Sequence, residues 1–426
     1  MIQSRERARR AVGRFALLAL GVNGIVGVGI FFAPADVARA APGWSSVLVF
    51  ALTGLALVPV AVTIATLGKR FDEDGGPVVF ARAAFGPLPS FVVGWVAYVS
   101  AVFSTTAVMA GLTSAMLAAL GMRGPGAERV GATALATILA LVCAAGISLS
   151  ARVWTGLTIL KLVPLFALAA AFLAHGLPAA GHAEAVTPAA WPRAALTATF
   201  TYQGFEIIPV VAGQVRSSAS AIPFAIAGSL GLAGLLYVTL QAACVAALPQ
   251  LASSSAPLAE AAAFYAGPGL AWLVTAGTSL SALGIAFGMV ATTPRYLSAL
   301  AAGPSLPFEL DRVAANGVPL RALATTWLLV VAVIQVGGRG EFFALSSIAV
   351  LAQFVVTALA LAALALRRLR GLVPRQAWWS LPSIVVGLVL TSGATSREWL
   401  VAGCALALGL GLRWLTSERP ATSRPS

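Results

Sequence analysis

The chain has 426 residues, of which 59% are hydrophobic and 10% are charged, and its mean hydropathy is +0.93. An ordinary soluble domain has roughly a quarter of its residues charged, so this composition excludes a soluble globular protein. The formal net charge of +13 would indicate nucleic-acid binding in a soluble protein. No aromatic or motif context supports that function here, so no nucleic-acid partner is expected.

Apolar stretches long enough to cross a bilayer recur from Phe15 to about Leu415. A hydrocarbon core about 30 Å thick needs about 20 apolar residues per helical span. The sequence therefore predicts twelve spans with short polar connections: 15–40, 45–68, 88–118, 130–149, 154–175, 194–214, 222–247, 270–300, 320–337, 342–366, 378–395 and 398–415. The first stretch is too long for a removable signal peptide, so it is expected to remain as the first helix.

Basic residues are distributed unevenly between the two ends of these spans. With an inside N-terminus, twenty Lys and Arg lie at cytoplasmic ends, Lys161 lies within the membrane, and six lie at outer ends: Arg39, Arg123, Arg129, Arg193, Arg339 and Arg397. This positive-inside bias predicts a multi-pass protein of a bacterial cytoplasmic membrane with both termini in the cytoplasm. The basic clusters at 5–10 and 367–375 are interpreted as anchors beside anionic lipid headgroups.

The sequence offers no constellation for catalysis or metal binding. Cys143, Cys244 and Cys404 lie far apart in apolar spans, so neither a metal site nor a disulfide framework is indicated. An intramembrane enzyme would need paired aspartates, a His-Glu metal motif or a Ser/His pair within its spans, and the sequence has none of these. The protein is therefore predicted not to be an enzyme, and no cofactor is expected.

Two predicted spans depart from the smooth Leu/Ala/Val pattern of the others. The first contains Gly24, Gly27 and Gly29, and the sixth contains Gly204 followed by Pro209. Either break alone is also explained by close helix packing through small residues. Paired interruptions five spans apart instead indicate an inverted-repeat transporter, in which half-helix ends face a site at the membrane midplane.

The predicted fold is an all-α polytopic membrane protein with a five-plus-five inverted repeat and broken helices 1 and 6. Residues 15–175 form the first repeat, 194–366 form the second, and 378–415 form two peripheral C-terminal helices. Unwinding in the first span would leave free N–H groups with partial positive charge at the start of the outer half-helix. A substrate carboxylate fits that end.

The run Gly27-Val28-Gly29-Ile30-Phe31 resembles a signature of the amino acid–polyamine–organocation permeases. Further motifs similar to that family follow in the same order along the core: Gly75-Gly76-Pro77, Phe85-Gly86-Pro87, Gly94-Trp95, the run from Phe200 to Glu206, and Pro294-Arg295-Tyr296. The resemblance implies a permease that moves an amino acid or a related amine across the lipid bilayer.

The resemblance also implies a substrate site at the two breaks. Its expected contacts are Gly27, Val28, Gly29, Ile30, Phe200, Tyr202, Gln203 and Gly204. Val28 stands where many members carry a serine, so a carboxylate would rely on backbone amides alone. Phe200 aligns with an aromatic residue that closes over substrate, although aromatic residues in membrane helices more often serve packing. Ser104 on the third span is a further lining residue, unless its hydroxyl bonds back to its own helix.

Lys161 is one of only two lysines in the chain, against 25 arginines, and it lies inside an apolar run. An intramembrane charge costs several kcal/mol and by default marks a transport pathway or proton relay. An arginine would stay charged there, whereas a desolvated lysine can lose its proton near neutral pH. Snorkelling over about 10–13 Å to the cytoplasmic end is the alternative. The family resemblance gives Lys161 two neighbours, Gly24 and Ser281, and implies that sodium is not required.

Glu206 is the only acidic residue well inside a predicted span. It is either a proton-linked gate or a buried carboxylate bonded to neighbouring backbone N–H groups. The sequence thus predicts a secondary active transporter for a neutral or small amino acid, driven by proton symport, antiport or exchange. A polyamine carrier is less favoured because Glu206 would be its only intramembrane counter-charge. A substrate sensor of the same fold stays open.

Overall fold

The computed structural model describes residues 12–27, 29–119, 121–122, 124–146, 151–176, 187–188, 190–215, 217–301, 306 and 309–417. Its first helices are α1 (Arg14–Ile25), α2 (Gly29–Ala40), α3 (Trp44–Ala56), α4 (Val58–Gly68), α5 (Pro77–Phe85), α6 (Pro87–Ala119), α7 (Pro125–Ala144) and α8 (Ala151–His175). They are followed by α9 (Ala190–Tyr202), α10 (Ser218–Ala247), α11 (Pro257–Ala301), α12 (Leu320–Val336), α13 (Arg339–Leu366), α14 (Ser380–Thr391) and α15 (Ser396–Ser417). Between α9 and α10 lies the 3-10 helix Phe205–Gln214, called here the 205–214 segment.

The described residues contain seven helices that are long and apolar enough to cross a membrane: Trp44–Gly68, Pro87–Leu117, Pro125–Ala144, Ser218–Ala247, Pro257–Ala301, Arg339–Leu366 and Ser396–Thr416. The bent pair α1 and α2 makes an eighth if it is one span. The prediction of an all-helical, multi-pass membrane protein is confirmed at this level. The count of twelve spans and the inverted repeat stay predictions.

Large apolar side chains cover much of the outside of the helix bundle. Leu235, Trp272 and Leu400 are 71%, 72% and 67% exposed, respectively. In water such a surface would promote aggregation, whereas in lipid it needs no cover. The polar side chains discussed below lie instead in the interior, where α13 packs against α6 and α9, α8 packs against α11, and α9 packs against α2.

The first and sixth predicted spans are both interrupted in the interior of the bundle. Helix α1 ends at Ile25, and the chain resumes as α2 at Gly29 with a bend of 43°. Helix α9 ends at Tyr202, and Gly204 follows with φ +124°, in a region that residues with a side chain rarely adopt. The glycines therefore lie where the chain leaves regular α-helix geometry.

Candidate functional site

The two helix breaks contact each other through their backbones. A Cβ atom on Gly204 would lie 2.3 Å from the carbonyl carbon of Gly24 and 2.7 Å from the backbone nitrogen of Ile25. A Cβ atom on Gly24 would in turn lie 3.1 Å from the Gly204 carbonyl oxygen. The two backbone segments can approach this closely only because both residues lack a side chain.

The carbonyl groups at the end of α1 are bonded by side chains from two other helices. Lys161 on α8 donates from Nζ to the Asn23 oxygen at 2.9 Å, and the Tyr237 hydroxyl on α10 donates to the Ile25 oxygen at 2.7 Å. The last carbonyls of a helix have no partner within the helix and carry partial negative charge, so an ammonium group stabilises them. Lys161 is 2% exposed, and its amine reaches α1 at the residue before the predicted neighbour, Gly24.

Ser281, the other predicted neighbour of Lys161, lies on α11, which packs against α8. Its hydroxyl is buried and has no hydrogen-bond partner among the described residues. A buried hydroxyl without a partner costs free energy, typically about 1–3 kcal/mol. The assignment of Ser281 to the Lys161 environment stays a prediction.

Glu206 occupies the start of the 205–214 segment. The backbone N–H of Gly204 donates to its carboxylate at 2.8 Å, and the residue is 9% exposed. A carboxylate at the N-terminal end of a helical segment is stabilised by the partial positive charge there. This is the geometry of a buried carboxylate bonded to neighbouring backbone, and a gating role for Glu206 stays a prediction.

A neutral polar cluster extends from the second break to α6 and α13. Gln203 donates from Nε2 to the Ser347 hydroxyl at 3.2 Å and accepts from the Ser346 hydroxyl at 3.0 Å. The Ser346 hydroxyl also lies 2.7 Å from that of Ser104 and 3.2 Å from that of Ser100. These five residues are called the hydroxyl cluster. Sequence reasoning named Ser104 and Gln203 but missed the others, although adjacent serines in an apolar span were a visible signal.

Two stacked aromatic rings lie near the hydroxyl cluster, since Phe343 precedes Ser346 by three residues on α13. Phe200 stacks on Phe343 of α13 with ring centroids 4.3 Å apart, and it is 8% exposed. A Cβ atom on Gly29, the first residue of α2, would lie 3.1 Å from the Phe200 ring. Phe200 therefore lies between the start of α2 and α13, next to Gly29, which is one of the residues expected to bind substrate.

The other residues predicted to contact substrate are engaged in different ways. Ile30 is fully buried in the core, and the Gly27 N–H donates to the Ile25 oxygen at 2.7 Å. The Tyr202 hydroxyl donates to the Phe50 oxygen of α3 at 2.9 Å, so this side chain is held by packing away from the break. Val28 lies outside the described residues. Within the described part of the chain, no three His, Cys, Asp or Glu residues are grouped so that they could hold a metal ion.

Comparisons with known proteins identify the family of this chain. The profile of a family described as amino acid permease matches residues 12–407. An uncharacterized transporter of Mycobacterium tuberculosis is 28% identical over 98% of this chain and 93% of its own length. The serine/threonine exchanger SteT of Bacillus subtilis is 26% identical over 70% of each chain. The branched-chain amino acid permease BcaP of the same organism is 24% identical over 72% of this chain and 70% of its own.

The family match covers nearly the whole chain, including both helix breaks and the hydroxyl cluster. The prediction that the protein is a transporter and not an enzyme is confirmed, as is the resemblance from which it was drawn. The chain belongs to the amino acid permease family of membrane transporters.

Proposed function

We propose that the protein carries a small neutral amino acid across a bacterial cytoplasmic membrane by alternating access. The observation that carries this proposal is the meeting of two broken helices beside a buried cluster of neutral polar side chains. In this proposal, residues 15–175 and 194–366 are the two inverted repeats, 378–415 are peripheral, and both termini lie in the cytoplasm. The substrate binds between the breaks.

The start of α2 is the proposed binding site for the substrate carboxylate. The first N–H groups of a helix have no partner within it and carry partial positive charge, which attracts an anion. Gly29 and Ile30 begin α2 directly beside Phe200. The corresponding end of the 205–214 segment already holds the carboxylate of Glu206, so it is not available to a second one.

The hydroxyl cluster supports a neutral substrate side chain. It contains hydroxyl and amide groups only, and a charged side chain placed beside it would be buried without a counter-charge. Glu206, the nearest acidic residue along the chain, is engaged with the Gly204 backbone, which disfavours a polyamine. Relatives named as a serine/threonine exchanger and a branched-chain amino acid permease fit the same class of neutral substrates.

Lys161 is the proposed coupling residue. Its charged amine binds the end of α1 at the Asn23 oxygen, and a neutral amine would bind that carbonyl more weakly. Gain and loss of this contact would therefore accompany movement of α1 between inward-open and outward-open states. Because the buried amine supplies the positive charge beside Gly24 and Ser281, transport needs no sodium.

Uptake of labelled L-serine into proteoliposomes tests the proposal. We expect accumulation in sodium-free buffer that is accelerated by an inward proton gradient or by serine preloaded inside. Unlabelled threonine should compete, whereas putrescine and arginine should not. Binding of serine that raises the melting temperature without any accumulation would identify a sensor instead, and competition by putrescine would identify an amine carrier.

A further inference from the structure

A cavity of about 500 Å³ lies apart from the hydroxyl cluster, at the other end of α2. It is bounded by the end of α2, the start of α7, the turn between α12 and α13, and the start of α15. Small-molecule pockets typically measure about 300–1,000 Å³, so the space suits a ligand of amino acid size. None of the five residues of the hydroxyl cluster lines it.

Two of the acidic groups on the cavity wall are already paired with arginines. Asp36 bonds both Arg39 and Arg339, the latter at 3.1 Å, and its side chain is only 3% exposed. Glu341 pairs with Arg397 at 3.2 Å. Because the single carboxylate of Asp36 faces two arginines, these five groups keep one net positive charge, which favours an anionic group in the cavity.

Arg129 is the basic residue of the wall that takes part in none of these ion pairs. It lies in the first turn and a half of α7, is exposed, and makes no ion pair or hydrogen bond within the described residues. A guanidinium group binds a carboxylate through two parallel hydrogen bonds, which makes it the preferred partner for this anion. The Arg129 guanidinium is therefore available to bind a carboxylate in the cavity.

Glu128, next to Arg129, supplies the opposite charge. Its carboxylate accepts one hydrogen bond from the Ser114 hydroxyl at 3.2 Å through Oε1, so Oε2 retains its capacity to accept. Both residues line the same cavity. An ammonium group can thus bind Glu128 while a carboxylate on the same molecule binds Arg129.

We infer that this cavity is a second amino acid site, in which Arg129 holds the carboxylate and Glu128 the ammonium group of a zwitterion before it reaches the helix breaks. The inference rests on the proposed function, in which Arg39, Arg129 and Arg339 lie on the outer face of the membrane. The two groups recognise features that every amino acid shares, so this site is not selective for the side chain.

The helices that carry the cavity wall are held together on its α2 and α13 side. The Asp36–Arg339 pair ties α2 to α13, and the Arg339 guanidinium lies 5.1 Å from the centroid of the Phe32 ring. Phe32 packs so closely on α6 that a Cβ atom on Gly111 would lie 2.6 Å from it. In this inference, an amino acid passes from the cavity towards the helix breaks when α2 and α13 separate.

Equilibrium binding of labelled L-serine to the purified full-length protein counts the two sites. We expect wild type to bind about two serines per chain and Arg129→Gln to bind about one, because the variant loses the two-bond carboxylate contact. Arg375→Gln removes the same charge from an exposed position that does not line the cavity, and it should still bind two. In wild type, serine binding at the site that Arg129→Gln removes should also weaken severalfold when salt rises from about 20 to about 500 mM. This binding depends on an exposed charge, which salt screens.

One bound serine in wild type, or two in Arg129→Gln, would overturn the second site. Uptake measured on the same preparations keeps this result separate from the proposed function. Arg129→Gln should raise the KM for serine by about tenfold while leaving the maximal rate within about twofold, because only the initial capture is impaired. Two bound serines with no uptake in wild type would reject transport and leave the second site in place.

Discussion

Gly204 lies so close to Gly24 that no side-chain atom fits between the two helix breaks. The distance from a Cβ atom at position 204 to the Gly24 carbonyl carbon would be 2.3 Å, and to its oxygen 2.5 Å. Because these atoms belong to the backbone of the other break, a side chain at position 204 could be accommodated only if one helix moved. The contact fixes how the first and sixth predicted spans cross.

The Gly204→Ala substitution should therefore destabilise the protein and stop transport. Its φ of +124° is strained for alanine, and the backbone clash adds to that cost, so we expect a loss of at least about 2 kcal/mol in the free energy of unfolding. Gly231→Ala is the matched control, because nothing lies within 4 Å of a Cβ atom there. Thermal denaturation in detergent and serine uptake should distinguish them, and equal behaviour of both variants would contradict the close crossing.

Replacement of Lys161 should abolish concentrative uptake. Lys161→Ala removes the donor to the Asn23 oxygen, and Lys161→Arg keeps a charge that cannot be lost near neutral pH. We expect each variant to lose at least about tenfold in accumulation ratio. Lys69→Ala, at the end of α4, changes the other lysine of the chain and should transport normally. Wild-type accumulation by both Lys161 variants would refute the coupling role.

Ser346→Ala should weaken the hydroxyl cluster. The Ser346 hydroxyl contacts Gln203, Ser104 and Ser100, and its loss leaves the Gln203 amide oxygen without this donor. A buried polar group left unsatisfied costs about 1–3 kcal/mol, so serine affinity or stability should fall accordingly. Ser392→Ala provides the comparison, since that exposed hydroxyl bonds only its own helix end within the described residues. A KM and melting temperature unchanged from wild type would argue against a substrate site at this cluster.

The ion pair between Arg193 and the buried carboxylate of Glu398 should contribute to stability. Arg193 donates to both carboxylate oxygens at 2.7 and 2.8 Å, and the Glu398 side chain is 3% exposed. Arg193→Gln should lower the free energy of unfolding by about 2–4 kcal/mol, because it leaves a buried carboxylate without its partner. Glu398→Gln should cost less, because the Arg193 side chain is 33% exposed and water can solvate its charge. The double variant should lose less than the sum of the two, as a double-mutant cycle by thermal denaturation would reveal. Additive losses would mean that the pair is not coupled.

Composition and hydropathy were sufficient to predict a helical membrane protein. A helix satisfies its own backbone hydrogen bonds, so a long apolar segment in lipid has essentially one available structure. The positions of the breaks were also readable, because Gly24, Gly29 and Gly204 interrupt otherwise regular apolar runs. The lysine at 161 could be singled out by its charge alone, before its partner was known.

The partners of the polar side chains were decided only by the tertiary structure. The family resemblance placed Lys161 beside Gly24. The carbonyl that Lys161 bonds, that of Asn23, depends on the rotation of α1 against α8. Ser346 lies 143 residues from Gln203, and Asp36 lies 303 from Arg339, so no local pattern connects them. Local propensity and hydropathy act over a few residues, whereas these contacts depend on how whole helices pack, which is why the segments could be predicted and their polar partners could not.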